Sequence, residues 1–108
     1  MQDKGAAMNA TQSAKEIFIR EGYESFENFI HDSALLISLS KIDQYEAECD
    51  FYKEKYRMGL EKFEAALHKK RGKENFQKEE DLEDWEFARH AVRWWKERAD
   101  ELRTSKTH

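Results

Sequence analysis

The sequence predicts an all-α fold, a helical hairpin or small helix bundle with two long amphipathic helices. The chain has 108 residues with no proline and only four glycines, and 39% of its residues are charged. Aromatic residues make up 13% of the chain, which is enough to build a core despite the polar average composition. Two segments place apolar residues at spacings of three and four, the period of one helix face. We therefore expect three or four helices around one thin core.

The first predicted element is an N-terminal helix, or two short ones, over about residues 12–30. Residues 1–10 are small and polar, and we expect them to be disordered. Thr11 and Ser13 are the candidate caps, and Gly22 interrupts the pattern, so a break or kink is expected there. The apolar residues of this segment are Ile17, Phe18, Tyr23, Phe26, Phe29 and Ile30.

The second predicted element is a long helix over about residues 33–57, with Asp32 or Ser33 as its N-cap. Its apolar seam has spacings close to those of a coiled coil. The seam consists of Leu35, Leu39, Ile42, Tyr45, Cys49, Tyr52 and Tyr56. The single cysteine excludes a disulfide within the chain, and its place on the seam favours a buried thiol over a reactive nucleophile.

A short helix follows over about residues 60–70, because Gly59 marks a break and Leu60, Phe63 and Leu67 outline a helical face. The last element is a second long helix over about residues 80–103. Its seam consists of Trp85, Ala88, Val92, Trp95, Ala99 and Leu102. We expect the two long helices to pair antiparallel within a single domain of residues 11–104, followed by a disordered tail of residues 105–108.

Charge is distributed unevenly along the chain, although the net charge is only −4. Residues 53–73 contain eight basic and three acidic residues, whereas residues 79–86 contain six acidic residues and no basic one. Carboxylates in the first turns of a helix interact favourably with the helix dipole, so the acidic segment is explained first as a helix start. The second interpretation is a docking surface for a basic partner.

A second aromatic stripe lies on the last helix, away from its seam. At roughly 100° per residue, Phe87 and Trp94 lie more than a hundred degrees from the centre of the seam, and Ala91 lies beside Phe87. Either the N-terminal aromatic residues cover them, or they form an interface, where tryptophan contributes strongly to binding. In the second case the residues expected to bind a partner are Glu80, Glu83, Asp84, Phe87 and Trp94.

The carboxylates also permit an enzymatic alternative, a magnesium-dependent nucleotide or phosphate hydrolase of all-α type. Its candidate ligands are Glu46, Asp50, Glu80 and Glu83. Three pairs place a carboxylate and an imidazole one helical turn apart: Glu27/His31, Glu64/His68 and Glu86/His90. Their spacing differs from that of di-iron bundles, and the chain has no glycine-rich phosphate loop. We therefore expect a non-enzymatic protein without a metal or cofactor.

A DNA-binding regulator is a further alternative, because the basic residues 68–73 end a short helix that follows a turn. The net acidity and the lack of Asn, Gln, Ser and Thr on that helix argue against base recognition. The longest aliphatic run, residues 34–37, is far shorter than the roughly 20 residues of a membrane span. The N-terminus lacks the apolar core of a signal peptide. The sequence thus predicts a cytoplasmic protein without a membrane partner.

A family resemblance rests on two segments: KYRMGLEKFEAAL, residues 55–67, and NFQKEEDLEDWEFARHAVRWWKERADEL, residues 75–102. These segments resemble the C-terminal half of small all-helical prokaryotic proteins encoded beside toxin genes. In those proteins a Tyr-x-Met turn leads into a Phe-Glu helix, and an acidic stretch with Trp-Glu opens the last helix. The matching positions are Tyr56, Met58, Phe63, Trp85 and Glu86. The resemblance implies an antitoxin-like or accessory protein that works by binding another protein, and homodimerisation is equally compatible with the long helices.

Overall fold

The computed structural model describes residues 9–69 and 75–106, with side chains as far as Thr104. These residues form four helices and no strand: α1 (Ala10–Arg20), α2 (Phe26–Tyr56), α3 (Leu60–Lys69) and α4 (Phe76–Lys106). The predicted all-α class, a hairpin of two long helices with smaller ones, is confirmed. Of the residues expected to be disordered, 1–8 and 107–108 lie outside the described residues. The expectation is wrong for the others, because Asn9 caps α1, Ala10 begins it, and residues 105–106 belong to α4.

The two long helices, α2 and α4, form the predicted antiparallel hairpin and make most of the tertiary contacts. The Tyr56 hydroxyl donates a hydrogen bond to Asp81, near the start of α4. Further along, Glu46 forms an ion pair with Lys96, with 3.0 Å between Nζ and Oε2. Residue numbers thus fall along α2 as they rise along α4, which fixes the antiparallel direction.

The seams predicted from the sequence are the faces that the hairpin encloses. Every residue of both predicted seams is buried or half-buried. The most buried positions of the pair carry small side chains, Ser38, Ala88 and Ala99, each no more than 2% exposed. Small side chains at the contact allow two helix axes to approach closely. The Ser38 hydroxyl donates to the carbonyl oxygen of Ala34 at 2.8 Å, so its burial leaves no unpaired polar group.

The main core lies at the end of the hairpin where α3 packs. Leu60 and Phe63 of α3 are buried together with Trp85 of α4. The Tyr56 ring stacks on the Phe63 ring with 4.1 Å between centroids. Aromatic side chains bury large apolar areas, so this cluster is the principal hydrophobic contribution to the fold.

Both long helices begin earlier than predicted. The Ser25 hydroxyl accepts the Asn28 N–H at 3.1 Å, so α2 begins at Phe26 and the predicted caps Asp32 and Ser33 lie inside the helix. Asn75 accepts the Lys78 N–H at 3.1 Å, and α4 begins at Phe76 rather than near residue 80. In each case a capping side chain lies ahead of a segment that contains no helix breaker.

The first helix, α1, is short and peripheral. Asn9 and Gln12 form a capping box at its start, and Gly22 follows its end with a φ of 84°, which glycine adopts without a Cβ penalty. None of the eleven residues of α1 is buried. Its ring contacts with α2 come from Phe18, whose ring lies 5.6 Å from Phe26 and 5.8 Å from Phe29.

Candidate functional site

The residues predicted to bind a partner lie on one side of α4 and are all exposed. At roughly 100° per residue they fall within an arc of about 100° around the helix. The aromatic members Phe87 and Trp94 are 62% and 49% exposed. This surface, composed of Glu80, Glu83, Asp84, Phe87 and Trp94, is termed the acidic–aromatic face.

Each aromatic ring of this face packs against neighbouring side chains along one side of the ring. The Phe87 ring lies edge-on to Tyr45 of α2, with 5.9 Å between centroids. Trp94 lies edge-on to Trp95 at 4.9 Å, and the Arg98 guanidinium lies 4.7 Å from the Trp94 ring centroid. Each ring therefore has a supported edge and a large solvent-exposed surface.

One aromatic residue that was not among the predicted binding residues extends this surface. Phe76 is 75% exposed at the start of α4. It precedes Phe87 by eleven residues, close to three turns of roughly 3.6 residues, so both side chains project from the same side of the helix. The eleven-residue spacing was the available signal, but residue 76 lay before the predicted start of the helix.

The alternative in which the N-terminal aromatics cover Phe87 and Trp94 is wrong. The Phe18 ring packs against Phe26 and Phe29, and these three rings contact one another at the start of α2. Phe87 and Trp94 remain about half exposed or more.

One of the six acids, Asp81, does not belong to the charged surface. It is 5% exposed and lies between the two long helices. Its Oδ2 accepts hydrogen bonds from Lys55 Nζ at 2.7 Å and from the Tyr56 hydroxyl at 2.5 Å, and its Oδ1 accepts from Gln77 Nε2 at 3.0 Å. Asp81 precedes Trp85 by four residues, so extending the predicted α4 seam back by one turn would have placed Asp81 on the buried side of the helix.

The protonation states of this cluster follow from burial and hydrogen bonding. Burial raises the pKa of Asp81, but the hydrogen bonds from Lys55, Tyr56 and Gln77 and the Lys55 charge outweigh it, so the net pKa is lowered. Burial, and then the hydrogen bond to Asp81, raise the pKa of Tyr56. At neutral pH a carboxylate therefore accepts from a neutral phenol and a cationic lysine. With both oxygens occupied and little exposure, Asp81 joins two helices and is closed to ligands.

The carboxylates of the hydrolase alternative are not brought together. Glu46 pairs with Lys96, which lies sixteen residues beyond Glu80 on α4, roughly 24 Å of helix rise. Within residues 9–69 and 75–106, no group of three or more His, Cys, Asp or Glu side chains is arranged to hold a metal ion. Burial raises the pKa of the Cys49 thiol, and a protonated thiol is a poor nucleophile.

Two further expectations concern nucleic acid and membranes. His68 and Lys69 are exposed in the last turn of α3, and basic residues 70–73 lie outside the described residues. In the described part of the chain, no helix is both long enough and apolar enough to cross a membrane.

Comparison with protein families, with curated proteins and with solved structures finds no match for this chain.

Proposed function

We propose that this protein is a non-enzymatic interaction module that docks another protein on the acidic–aromatic face of α4. The observation that supports the proposal most directly is the exposure of Phe87 and Trp94 on the side of α4 that also presents three exposed acids. Large exposed apolar side chains that share one surface with polar neighbours are typical of interaction sites.

The two kinds of side chain on this face contribute differently to binding. Burial of Phe87 and Trp94 supplies affinity, because tryptophan and other aromatic anchors dominate interface energetics. The acids Glu80, Glu83 and Asp84 attract a basic partner and raise the association rate and the specificity. The complementary partner is a basic protein with an apolar pocket.

Antitoxin-like neutralisation of a toxin is the specific form of this proposal, and the sequence resemblance supports it. Among the matching positions, Phe63 and Trp85 are buried in the core, and Tyr56 and Met58 pack against it. These four positions stabilise the packing of the helices, whereas the acidic–aromatic face provides the side chains that contact the partner.

A photo-cross-linking amino acid at position 94 tests the proposal in cell extract. A matched control places the same amino acid at Arg93, which is exposed roughly 100° around α4 from Trp94 and lies outside the acidic–aromatic face. We expect a discrete cross-linked protein from position 94 and none from position 93. The Trp94→Ala variant should bind that protein roughly thirtyfold more weakly with an unchanged thermal midpoint, the loss typical of an interface hot spot. Equal cross-linking at both positions, or none at either, contradicts the proposal.

A charge reversal tests the acidic contribution separately. Changing Glu80, Glu83 and Asp84 to lysine should slow association with the captured partner at low salt and have less effect at high salt, because surface charges are screened. A control with the same change in net charge reverses Glu16, Glu21 and Glu24, which are exposed near α1. Equal association rates for the two triple variants would show that the acids of α4 do not guide docking.

A further inference from the structure

A second helical stripe runs along α2 on the side away from α4. Its positions alternate by four and three residues, which is the spacing of a coiled-coil seam. The apolar members are Phe26, Ile30, Ile37, Ala47 and Phe51, and the others are Ser33, Ser40 and Gln44. None of the eight is charged, although 39% of the residues in this chain are. This set of positions is termed the outer stripe.

The described residues leave the outer stripe largely uncovered. Ile37 and Phe51 are 54% and 59% exposed, and Ile30 is 48% exposed. On the opposite side of α2, Ser38 and Ile42 are buried in the hairpin. The ring contacts of α1 reach only the first turn of the stripe, at Phe26.

The pattern has the properties of a helix-pairing face. A solvated helix face in a highly charged chain normally carries charges, and a continuous uncharged stripe at 4–3 spacing instead favours packing against another helix. The stripe spans residues 26–51, about 39 Å at a rise of about 1.5 Å per residue. That length matches a helix–helix contact rather than a small-ligand pocket.

We propose that the outer stripe joins two copies of this chain, with the two α2 helices antiparallel about a two-fold axis. Antiparallel pairing centred between residues 38 and 39 places Phe26 opposite Phe51 of the second copy. It also places a large side chain opposite a small one in two layers: Ile30 opposite Ala47, and Ile37 opposite Ser40. Ser33 is then opposite Gln44, and the two-fold axis repeats all four layers.

The parallel arrangement fits the same residues less well. Each residue is then opposite its own copy, so Ser40 faces Ser40 and Ala47 faces Ala47. Those layers contain two small side chains and leave space between the helices, and unfilled space in a packed interface costs stability. Large-to-small alternation across an antiparallel pair avoids these gaps.

The exposed area also suits a dimer. Five large side chains on and beside the stripe are 48–66% exposed: Phe26, Ile30, Leu36, Ile37 and Phe51. Each leaves on the order of 100 Å² accessible, so two copies bury roughly 1,000 Å² through these residues alone. That value reaches the roughly 1,000 Å² expected of a specific interface. The inference does not depend on the proposed function, because the acidic–aromatic face lies on α4 and stays open in each copy.

Sedimentation equilibrium of the whole chain tests the dimer. We expect the wild type at twice the 13.0 kDa chain mass and the Ile37→Lys variant at the single chain mass. A matched control, Phe87→Lys, places the same charge on an exposed apolar position of α4 and should remain dimeric. Circular dichroism of each variant verifies that the helices are retained. A monomeric wild type, a dimeric Ile37→Lys variant or a monomeric Phe87→Lys variant would each overturn the proposal.

Disulfide mapping tests the antiparallel register. In a Cys49→Ala background, Ser33→Cys and Gln44→Cys are combined in one chain, which is then oxidised with added diamide. Peptide mapping should identify a linkage from position 33 of one copy to position 44 of the other. Linkages of 33 to 33 and 44 to 44 would indicate parallel pairing, and an absence of linkages would indicate no pairing through this stripe. Failure of this proposal leaves the photo-cross-linking result at position 94 unaffected.

Discussion

The Asp81 carboxylate accepts hydrogen bonds from side chains of both long helices. Lys55 and Tyr56 approach it from the last turn of α2, and Gln77 approaches from the turn before it on α4. A buried carboxylate is costly unless its oxygens accept hydrogen bonds, and here both do. The same residue therefore fixes the end of α2 against the start of α4.

Replacing Asp81 by alanine should lower the free energy of unfolding by about 2–3 kcal/mol, because the half-buried Tyr56 hydroxyl loses its charged acceptor. The control is Asp84→Ala, an exposed acid three residues away, which should change the free energy by less than about 0.5 kcal/mol. Urea denaturation of both variants measures the difference. Similar losses for the two variants would show that the buried cluster does not stabilise the hairpin.

The pH dependence of stability should carry a contribution from Asp81. Its folded pKa lies below the unfolded value of 3.8, so the unfolded chain takes up the proton at a higher pH. The contribution is therefore fully present above pH 3.8 and is lost as the pH falls through the folded pKa. The stability advantage of the wild type over Asp81→Asn should stay constant down to about pH 4 and shrink below it. An advantage that grows in acid would contradict this sign.

At the level of the helices, capping side chains decide where each long helix begins. Ser25 and Asn75 each accept a backbone N–H from the first turn of the helix that follows. Apolar spacing predicted both helices but placed their starts four to seven residues too late, because the first turns extend beyond the packed seams. Asp32 and Ser33 have side chains typical of a cap, yet they lie inside α2.

Substitution of Ser25 and of Ser33 tests where α2 begins. Ser25→Ala removes the acceptor of the Asn28 N–H and should cost about 1 kcal/mol at the helix end. Hydrogen exchange of the Asn28 amide should then become roughly fivefold faster. Ser33→Ala, in the interior of the helix, should leave that amide unchanged and slightly raise helicity. Faster exchange in Ser33→Ala instead would indicate a helix start near residue 33.

For the whole molecule, stability is concentrated at one end of the hairpin. Phe63 and Trp85 are each 3% exposed, and Tyr56 stacks on Phe63. None of the residues of α1 is buried. Because hydrophobic stabilisation scales with buried apolar area, α1 contributes little to the unfolding transition.

Truncation of residues 1–20 should therefore change the free energy of unfolding by only about 1 kcal/mol. Phe63→Ala, by contrast, should cost about 3–5 kcal/mol, since it removes a buried aromatic ring and leaves a cavity. Thermal and urea denaturation of the two variants compare them directly. A large loss on truncation would show that α1 is part of the cooperative core.

Much of this arrangement was predictable because helix pairing depends on local periodicity. The residues of both seams, the break at Gly22 and the order of the long and short helices follow from spacing within single segments. The exposure of Phe87 and Trp94 did not follow from spacing, because it depends on whether a distant segment covers them. Phe18 is apolar enough to do so, but it packs against Phe26 and Phe29 at the start of α2.

The sequence alone predicts a helical hairpin, because proline is absent and the apolar residues repeat with the period of a helix. It also determined which faces of the long helices meet, since burying a seam against another seam is the most effective way to remove it from water. Which acid of residues 79–86 is buried depends instead on tertiary structure, since the register of the two long helices brings Lys55 and Tyr56 to Asp81. Tertiary structure also leaves the acidic–aromatic face and the outer stripe of α2 uncovered within one chain, because coverage depends on the direction in which α1 and α3 leave the hairpin.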